Sequence, residues 1–443
     1  MRDRNLRCSR RKFLASAAAL TLTGDMTPAN KTPAPPSVSR ETQAKPRQTG
    51  RVPIAVIATV YRPLSDAYHL MGRFLHGYGR NGQHHVPKQY VASLYVDQTP
   101  DNDLSREISL QHDIRLTRTI AEALTLDTDG LAVDGVLLIG EHGNYPRNDR
   151  GQILYPRFEM SEQITSVFRK SGKSVPVFHH KHLSHNWNKA KQMVDWSTEL
   201  NYPLMAGSYL PVTWRRPELE LPLNAPIKEA VVAGYGPLEV YGFYALEALQ
   251  TMLERRTGGE SGVKAITCLT GKEVWKAGDA GLWSWGLLEA ALARSETVNI
   301  GDIRKNVGSL AIPGMPATPP AAVLVDYCDG TRGTVLQLNG HVQDFCIALQ
   351  LEDQARPASC LFQVPPLPGA RAFDCLAAQI EKMFETGKSP YPLQRALLTT
   401  GMLESVMESH HRRGLRVETP NLEIAYQVSP ETSFVRGPLT PST

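Results

Sequence analysis

The sequence predicts an α/β protein: a Rossmann-like doubly wound parallel sheet domain, then an α+β domain with an open antiparallel sheet. Three observations carry this prediction. Continuous apolar, β-branched runs recur through the first half, as strands buried on both faces require. Helix-like stretches separate them, the signature of βαβ units. In the second half the spacing tightens into strands joined by short turns.

The first buried strand is "VPIAVIATV" (52–60), and "YVASLYVD" (90–97), "VDGVLLIG" (133–140), "SVPVFHH" (174–180) and "YPLMAGS" (202–208) follow it. Between them "SREISLQHDIRLTRTIAEAL" and "WNKAKQMVDWSTEL" have helical character. These elements predict a nucleotide-binding domain over 51–208. "VKAITCL" (263–269), "AAVLVDYCDGTRGTVLQLNG" (321–340) and "DFCIALQLEDQARPASCLFQV" (344–364) read as the second sheet, with Asp329-Gly330 as a hairpin turn. Two helices, "FDCLAAQIEKMFETG" and "QRALLTTGMLESVMESHHRRG", close a second domain over 209–428, and 429–443 is read as a tail. Arg412, Arg413 and Gly414 give the last helix its stop signal.

The chain has 443 residues, 42% of them hydrophobic, enough for two cored domains. Its 48 basic and 44 acidic residues give a net charge of +4, and part of that excess sits in "MRDRNLRCSRRK" at the start, so no nucleic-acid surface is indicated. After this basic start "FLASAAALTLTG" is too short to span a bilayer. Arg10 and Arg11 stand ahead of Phe13 and Leu14, the pattern of a twin-arginine export signal. The expectation is a signal over 1–29 ending at Ala29, a flexible linker over 30–50, handling by the twin-arginine translocation machinery and a periplasmic location. Of six cysteines, Cys8 lies in this signal. The other five, with no CxxC, argue against a disulfide framework.

The stretch "KSVPVFHHKHLSHNWNKAKQMVDWSTELNYPLMAGSYLP" and the tail "QIEKMFETGKSPYPLQRALLTTGMLESVMESHHRRGLRVETP" resemble the Gfo/Idh/MocA family of NAD(P)-dependent sugar oxidoreductases, a resemblance that runs from residue 51 onward. It implies a carbohydrate or polyol substrate, NAD or NADP as cofactor, and a homo-oligomer formed through the open sheet face. Lys181 matches the family's catalytic or substrate-positioning lysine, with His180 and His182 replacing the usual Glu and Pro. In "LEVYGFYALEAL", Gly242, Tyr244 and Glu247 match the helix that usually carries Gly-x-His-x-x-Asp, which makes Tyr244 and Glu247 the assisting catalytic pair.

The glycine-rich turn is where the sequence departs from the family. Ala58, Val60 and Pro63 take the places of the three glycines that let a backbone approach pyrophosphate, leaving Ala58 and Thr59 as cofactor contacts in an altered loop. Asp97 ends the second strand where an acid pairs with a ribose hydroxyl; an ordinary turn aspartate is the alternative. The loop "GEHGNYPRNDRGQILYPRF" follows a strand's carboxyl end and so offers Glu141 and His142 to the cofactor, and Asn144, Tyr145 and Arg147 to the substrate.

A lysine among partly desolvated histidines is expected to have a lowered pKa and to exchange protons with a hydroxyl. His180 and His182 then line the substrate cleft, joined by Trp214 and Arg215, a stacking surface and a guanidinium. Metal ligation by the histidines, with hydrolase or lyase chemistry, is the rival reading. The stretch lacks His-x-x-x-His and an acidic partner, so no metal is assigned. A third alternative is a carbohydrate-binding protein without catalysis.

Overall fold

The computed structural model describes residues 50–308, 317–352 and 354–438. The twin-arginine segment, its cleavage site and nearly all of the linker lie outside the described residues. Among the described residues no helix is long and apolar enough to cross a membrane.

The first half forms β1 (Val52–Ala58), α1 (Asp66–His76), β2 (Tyr78–Arg80), β3 (Gln83–His85), β4 (Gln89–Val96), α2 (Ser105–Gln111), β5 (Arg115–Thr117), α3 (Ile120–Thr125), β6 (Gly135–Ile139), α4 (Arg157–Ser171), β7 (Val177–His180), α5 (Trp187–Glu199) and β8 (Leu204–Gly207). Six of these strands make a parallel sheet in the order β5-β4-β1-β6-β7-β8. Every apolar run predicted as a strand of this domain is one, although β4 is only partly buried. β1 and β6 are buried from Pro53 to Ala58 and throughout, because helices cover both faces. The stretch 105–124, expected as one helix, breaks into α2, β5 and α3. Asp113 adopts a left-handed φ of 57° there, which ends α2 and starts the edge strand.

The second half contributes β9 (Trp214–Arg216), β10 (Ile227–Gly234), α6 (Leu238–Leu253), β11 (Val263–Thr270), α7 (Lys272–Asp279), α8 (Trp285–Leu292), α9 (Ile303–Asn306), β12 (Ala321–Tyr327), β13 (Arg332–Gln337), β14 (Phe345–Leu351), β15 (Ala358–Gln363), α10 (Ala372–Thr386), α11 (Leu393–His411) and β16 (Val417–Glu418). Eight strands form one mixed sheet, β16-β11-β12-β13-β10-β14-β15-β9, antiparallel except where β10 meets β13. The hairpin turns at Gly330, whose φ of 91° suits a residue without Cβ.

One face of this sheet packs on α6 and α11 through Leu249, Met252, Leu398 and Met402. The other face, expected to be open, carries α7 and α8, whose Val274, Leu287 and Leu288 join Trp283 over Val231, Leu336 and Ala348. A homo-oligomer through that side therefore has to form on these helices, not on bare strands. Trp283 donates to the Val274 carbonyl inside this layer.

Helix α10 belongs by sequence to the second half but packs on the first sheet. Phe373, Leu376 and Ile380 share a core with Ile54, Val56, Leu70 and Phe74. The five cysteines Cys268, Cys328, Cys346, Cys360 and Cys375 are free.

Candidate functional site

Ligands of open parallel sheets bind beyond the strands' carboxyl ends, and there β1, β6 and β7 deliver a compact group of charges. β7 ends in His180, and Lys181 follows it. The Lys181 backbone is left-handed at φ 63°, and its N–H donates to the Gly207 carbonyl at 2.9 Å. β6 runs into Glu141 and then His142, also left-handed at φ 66°. Non-glycine residues in this region are uncommon and concentrate at working sites.

The Lys181 ammonium donates to Glu141 Oε1 at 2.9 Å and lies 3.5 Å from Asp66 Oδ2. Arg157, on α4, donates to the other Glu141 oxygen and to the Gly140 carbonyl, and is paired with His182 Nε2. His180 Nε2 is 2.9 Å from Asp66 Oδ2, and His142 Nε2 is 3.4 Å from Asp66 Oδ1. Lys181, Glu141, Arg157, His180 and His182 are all buried. Two buried cations thus face two carboxylates, of which Glu141 is buried and Asp66 is 13% exposed.

This neutralisation overturns the expected lowering of the Lys181 pKa. Burial alone favours the neutral amine, but the Glu141 and Asp66 carboxylates outweigh it and raise the pKa, so Lys181 is a fixed ammonium donor and not a base. Burial likewise opposes charge on Asp66, yet Lys181 and His142 hold its pKa well below the usual range. The imidazoles of His180 and His182 are pushed toward their neutral forms, chiefly by burial. Asp66 and Arg157 are the two members missed in the sequence. "LSDAYHL" did carry a signal for Asp66: Ser65 caps α1 by accepting from the Tyr68 N–H, and the acid follows in the first turn.

Tyr244 sits beneath the lysine, with the ammonium 4.9 Å from its ring centroid. Burial raises its pKa well above the ordinary value, and it is hydrogen-bonded to Tyr209, so it holds the cation by its ring and does not act as a base. Glu247 does not join Tyr244 in a relay, because it is turned to Ser208 and accepts from that residue's N–H and hydroxyl. Burial pushes the Glu247 carboxyl up to about 7.

The other candidates separate from this group. Asp97 accepts from Tyr145 at 2.6 Å and from Tyr95 at 3.1 Å, while Asn144 is held through its backbone by Gln98. Arg147 donates to the Gly151 carbonyl on the surface. Trp214 and Arg215 depart from the expected open platform: Trp214 is buried against the first sheet's core and lines a separate cavity beside Arg371 and Gln379, and Arg215 is fully buried beside the rings of Phe362 and Phe434. Among the described residues no group of three or more His, Cys, Asp or Glu is arranged to hold a metal ion.

Three solved structures show where this architecture recurs. GenD2 from gentamicin A biosynthesis, in complex with NAD, matches with a TM-score of 0.50 at 14% identity, over 86% of this chain and 99% of its own. A probable dehydrogenase from Thermotoga maritima matches at 0.51 and 11%, over 84% and 100%. A putative myo-inositol dehydrogenase from Sinorhizobium meliloti 1021 matches at 0.50 and 10%, over 83% and 99%. The chain shares the fold of these structures, the fold that its resemblance to the Gfo/Idh/MocA family implies. No protein-family model and no curated protein matches the sequence.

GenD2 holds NAD, and the first βα turn tests whether this chain suits a dinucleotide. Pyrophosphate requires glycines and open helix-terminal N–H groups. Residues 59–65 contain no glycine, and Val60 and Tyr61 are each 1% exposed, filling the turn. The Thr59 hydroxyl is committed to the Glu141 carbonyl, and Asp66 places a carboxylate in the first turn of α1. These residues do not fit a pyrophosphate held in the glycine-loop manner.

Proposed function

We propose that this chain is an exported, oxidoreductase-like protein that binds a carbohydrate or polyol in the cleft above β1, β6 and β7 and that lacks the ordinary dinucleotide cradle. One observation carries the reading: a lysine fixed as an ammonium between Glu141 and Asp66 at the strand ends, beside a first turn filled by Val60 and Tyr61. Alternating fixed donors and acceptors is what vicinal hydroxyls require. Half-exposed His142 and Tyr241 lie toward solvent from this group. The likeness in fold to a putative myo-inositol dehydrogenase supports the substrate class.

A second reading, NAD(P)-dependent oxidation with the dinucleotide seated differently, is favoured by the NAD-bound structure of the similarly folded GenD2. Thermal melting in the presence of NADH, NADPH, myo-inositol and D-glucose separates the two. A ligand that binds only the folded state raises the melting temperature, so the proposal expects a shift with a polyol or sugar and none with either dinucleotide at millimolar concentration. A saturating shift with NADH or NADPH would establish the second reading in its place.

A further inference from the structure

A cavity of about 640 Å³ lies between α1, α2 and the β2–β3 hairpin, with residues 368–374 closing one side. None of Lys181, Glu141, Asp66 and Arg157 lines it. Its size is that of a small-molecule site.

Two residues on α1 have no explanation inside the protein. His69 lines the cavity and is 3% exposed; its ring stacks on Phe373 with centroids 5.4 Å apart, yet its Nε2 has no hydrogen-bond partner. A buried polar atom left unpaired is destabilising. One turn on, Gly72 stands inside the helix, where glycine is less stable than alanine. No packing demands it, because a Cβ at Gly72 would meet nothing within 4 Å. What the missing side chain does is keep the cavity wall open.

The walls indicate what enters. Tyr61 and Tyr68 present aromatic rings 6.1 Å apart at one end. Four charged residues line the cavity, and they balance. Arg73 donates to Asp374 at 2.9 Å, Arg371 lies 3.5 Å from the same carboxylate, and Glu107 accepts from the Gln111 amide. Burial lowers the pKa of His69 to about 4, and its ring is therefore neutral near neutral pH. Two arginines against two carboxylates leave no net charge to select an ion. Aromatic faces with an unpaired imidazole nitrogen suit a ring that carries hydroxyls on its edge and C–H groups on its face.

We propose that this groove is a second ligand site, built for a neutral saccharide ring and separate from the Lys181 cleft. His69 Nε2 meets a hydroxyl, Gly72 leaves room for the ring, and Tyr68, 38% exposed, stacks on it.

Hydrogen-exchange mass spectrometry on the purified protein, with and without cellobiose or D-glucose at millimolar concentration, locates the binding. Protection is expected over 78–84, 104–111 and 367–371. Ligand-observed saturation-transfer spectra should then lose the signal from the same sugar at least tenfold in Gly72→Phe and in His69→Phe, which fills the imidazole's place without its nitrogen. Gly72→Ala, predicted to raise the melting temperature, shows that the helix tolerates a side chain there and guards against misreading an unfolded Gly72→Phe. Protection confined to 141–145, 181–185 and 235–242 would place the sugar in the strand-end cleft, overturning this site while upholding the functional reading. Absence of binding by either sugar, or binding untouched by both substitutions, would also overturn it.

Discussion

The Lys181 ammonium and the Glu141 carboxylate meet at 2.9 Å, with side chains 5% and 4% exposed, and each is gripped from a second side, by Asp66 and by Arg157. Removing one member of such a buried set strands the others without compensation, which typically costs about 3–5 kcal/mol. Lys181→Met is therefore expected to lower the urea midpoint strongly, and Glu141→Gln to do likewise. Because the two residues share one interaction, the double variant should cost clearly less than the sum of the singles. Additive costs would show that the pair is not a unit.

Glu247 gives the protein a dependence on pH that runs against acid denaturation. Burial raises its folded pKa from 4.5 to about 7. Between those values the folded state binds more protons than the unfolded state, so stability falls as pH rises through the window, by a total on the order of 3 kcal/mol. Glu247→Gln keeps an acceptor for the Ser208 N–H but cannot ionise, and denaturation midpoints compared at about pH 5 and about pH 8 should differ less for the variant than for the wild type. An unchanged slope would locate the pH dependence elsewhere.

His180 and His182 each have an established partner, Asp66 and Arg157, and are expected to act as cleft walls, not as metal ligands. Elemental analysis should find no stoichiometric metal in the wild type. One metal per chain, lost on either His180→Gln or His182→Gln, would turn the stretch into a metal site and displace the carbohydrate reading.

Export is tested at the chain's start. Replacing Arg10 and Arg11 by lysine keeps the charge but removes the pair that a twin-arginine receptor reads. The precursor should then accumulate in the cytoplasm, as fractionation and immunoblotting would report. Undiminished export would refute the signal.

The strands of the first sheet were legible because burial on both faces leaves an unbroken apolar run, and the second hairpin because Asp329-Gly330 marks it. The lysine was legible by its place at a strand's end, but its charge state was not. That depends on Asp66 and Glu141, 115 and 40 residues away in sequence, whose convergence only the folded sheet creates. Arg157 shows the same limit: nothing in "YPRFEM" tells that this arginine is 1% exposed. The β2–β3 hairpin did have a signal, Asn81-Gly82, the turn pair of a two-residue hairpin. The burial of Trp214 and Arg215 was not legible, because an aromatic next to an arginine describes a buried edge strand as well as it describes a ligand platform.

Helix α10 has a consequence for when this protein comes into being. Tyr78 donates to Glu381 at 2.6 Å across 303 residues of chain, and Phe373, Leu376 and Ile380 complete a core begun by Ile54. A nascent chain that has released β1 through β8 from the ribosome still lacks the layer that covers one face of their sheet, and exposed sheet faces invite aggregation. Completion waits until β9 to β15 have also been synthesised, because α10 follows them in the chain. The proposed export route, which carries proteins already folded, suits such a molecule, since a route that threads the amino-terminal half first would separate it from its missing layer at the membrane.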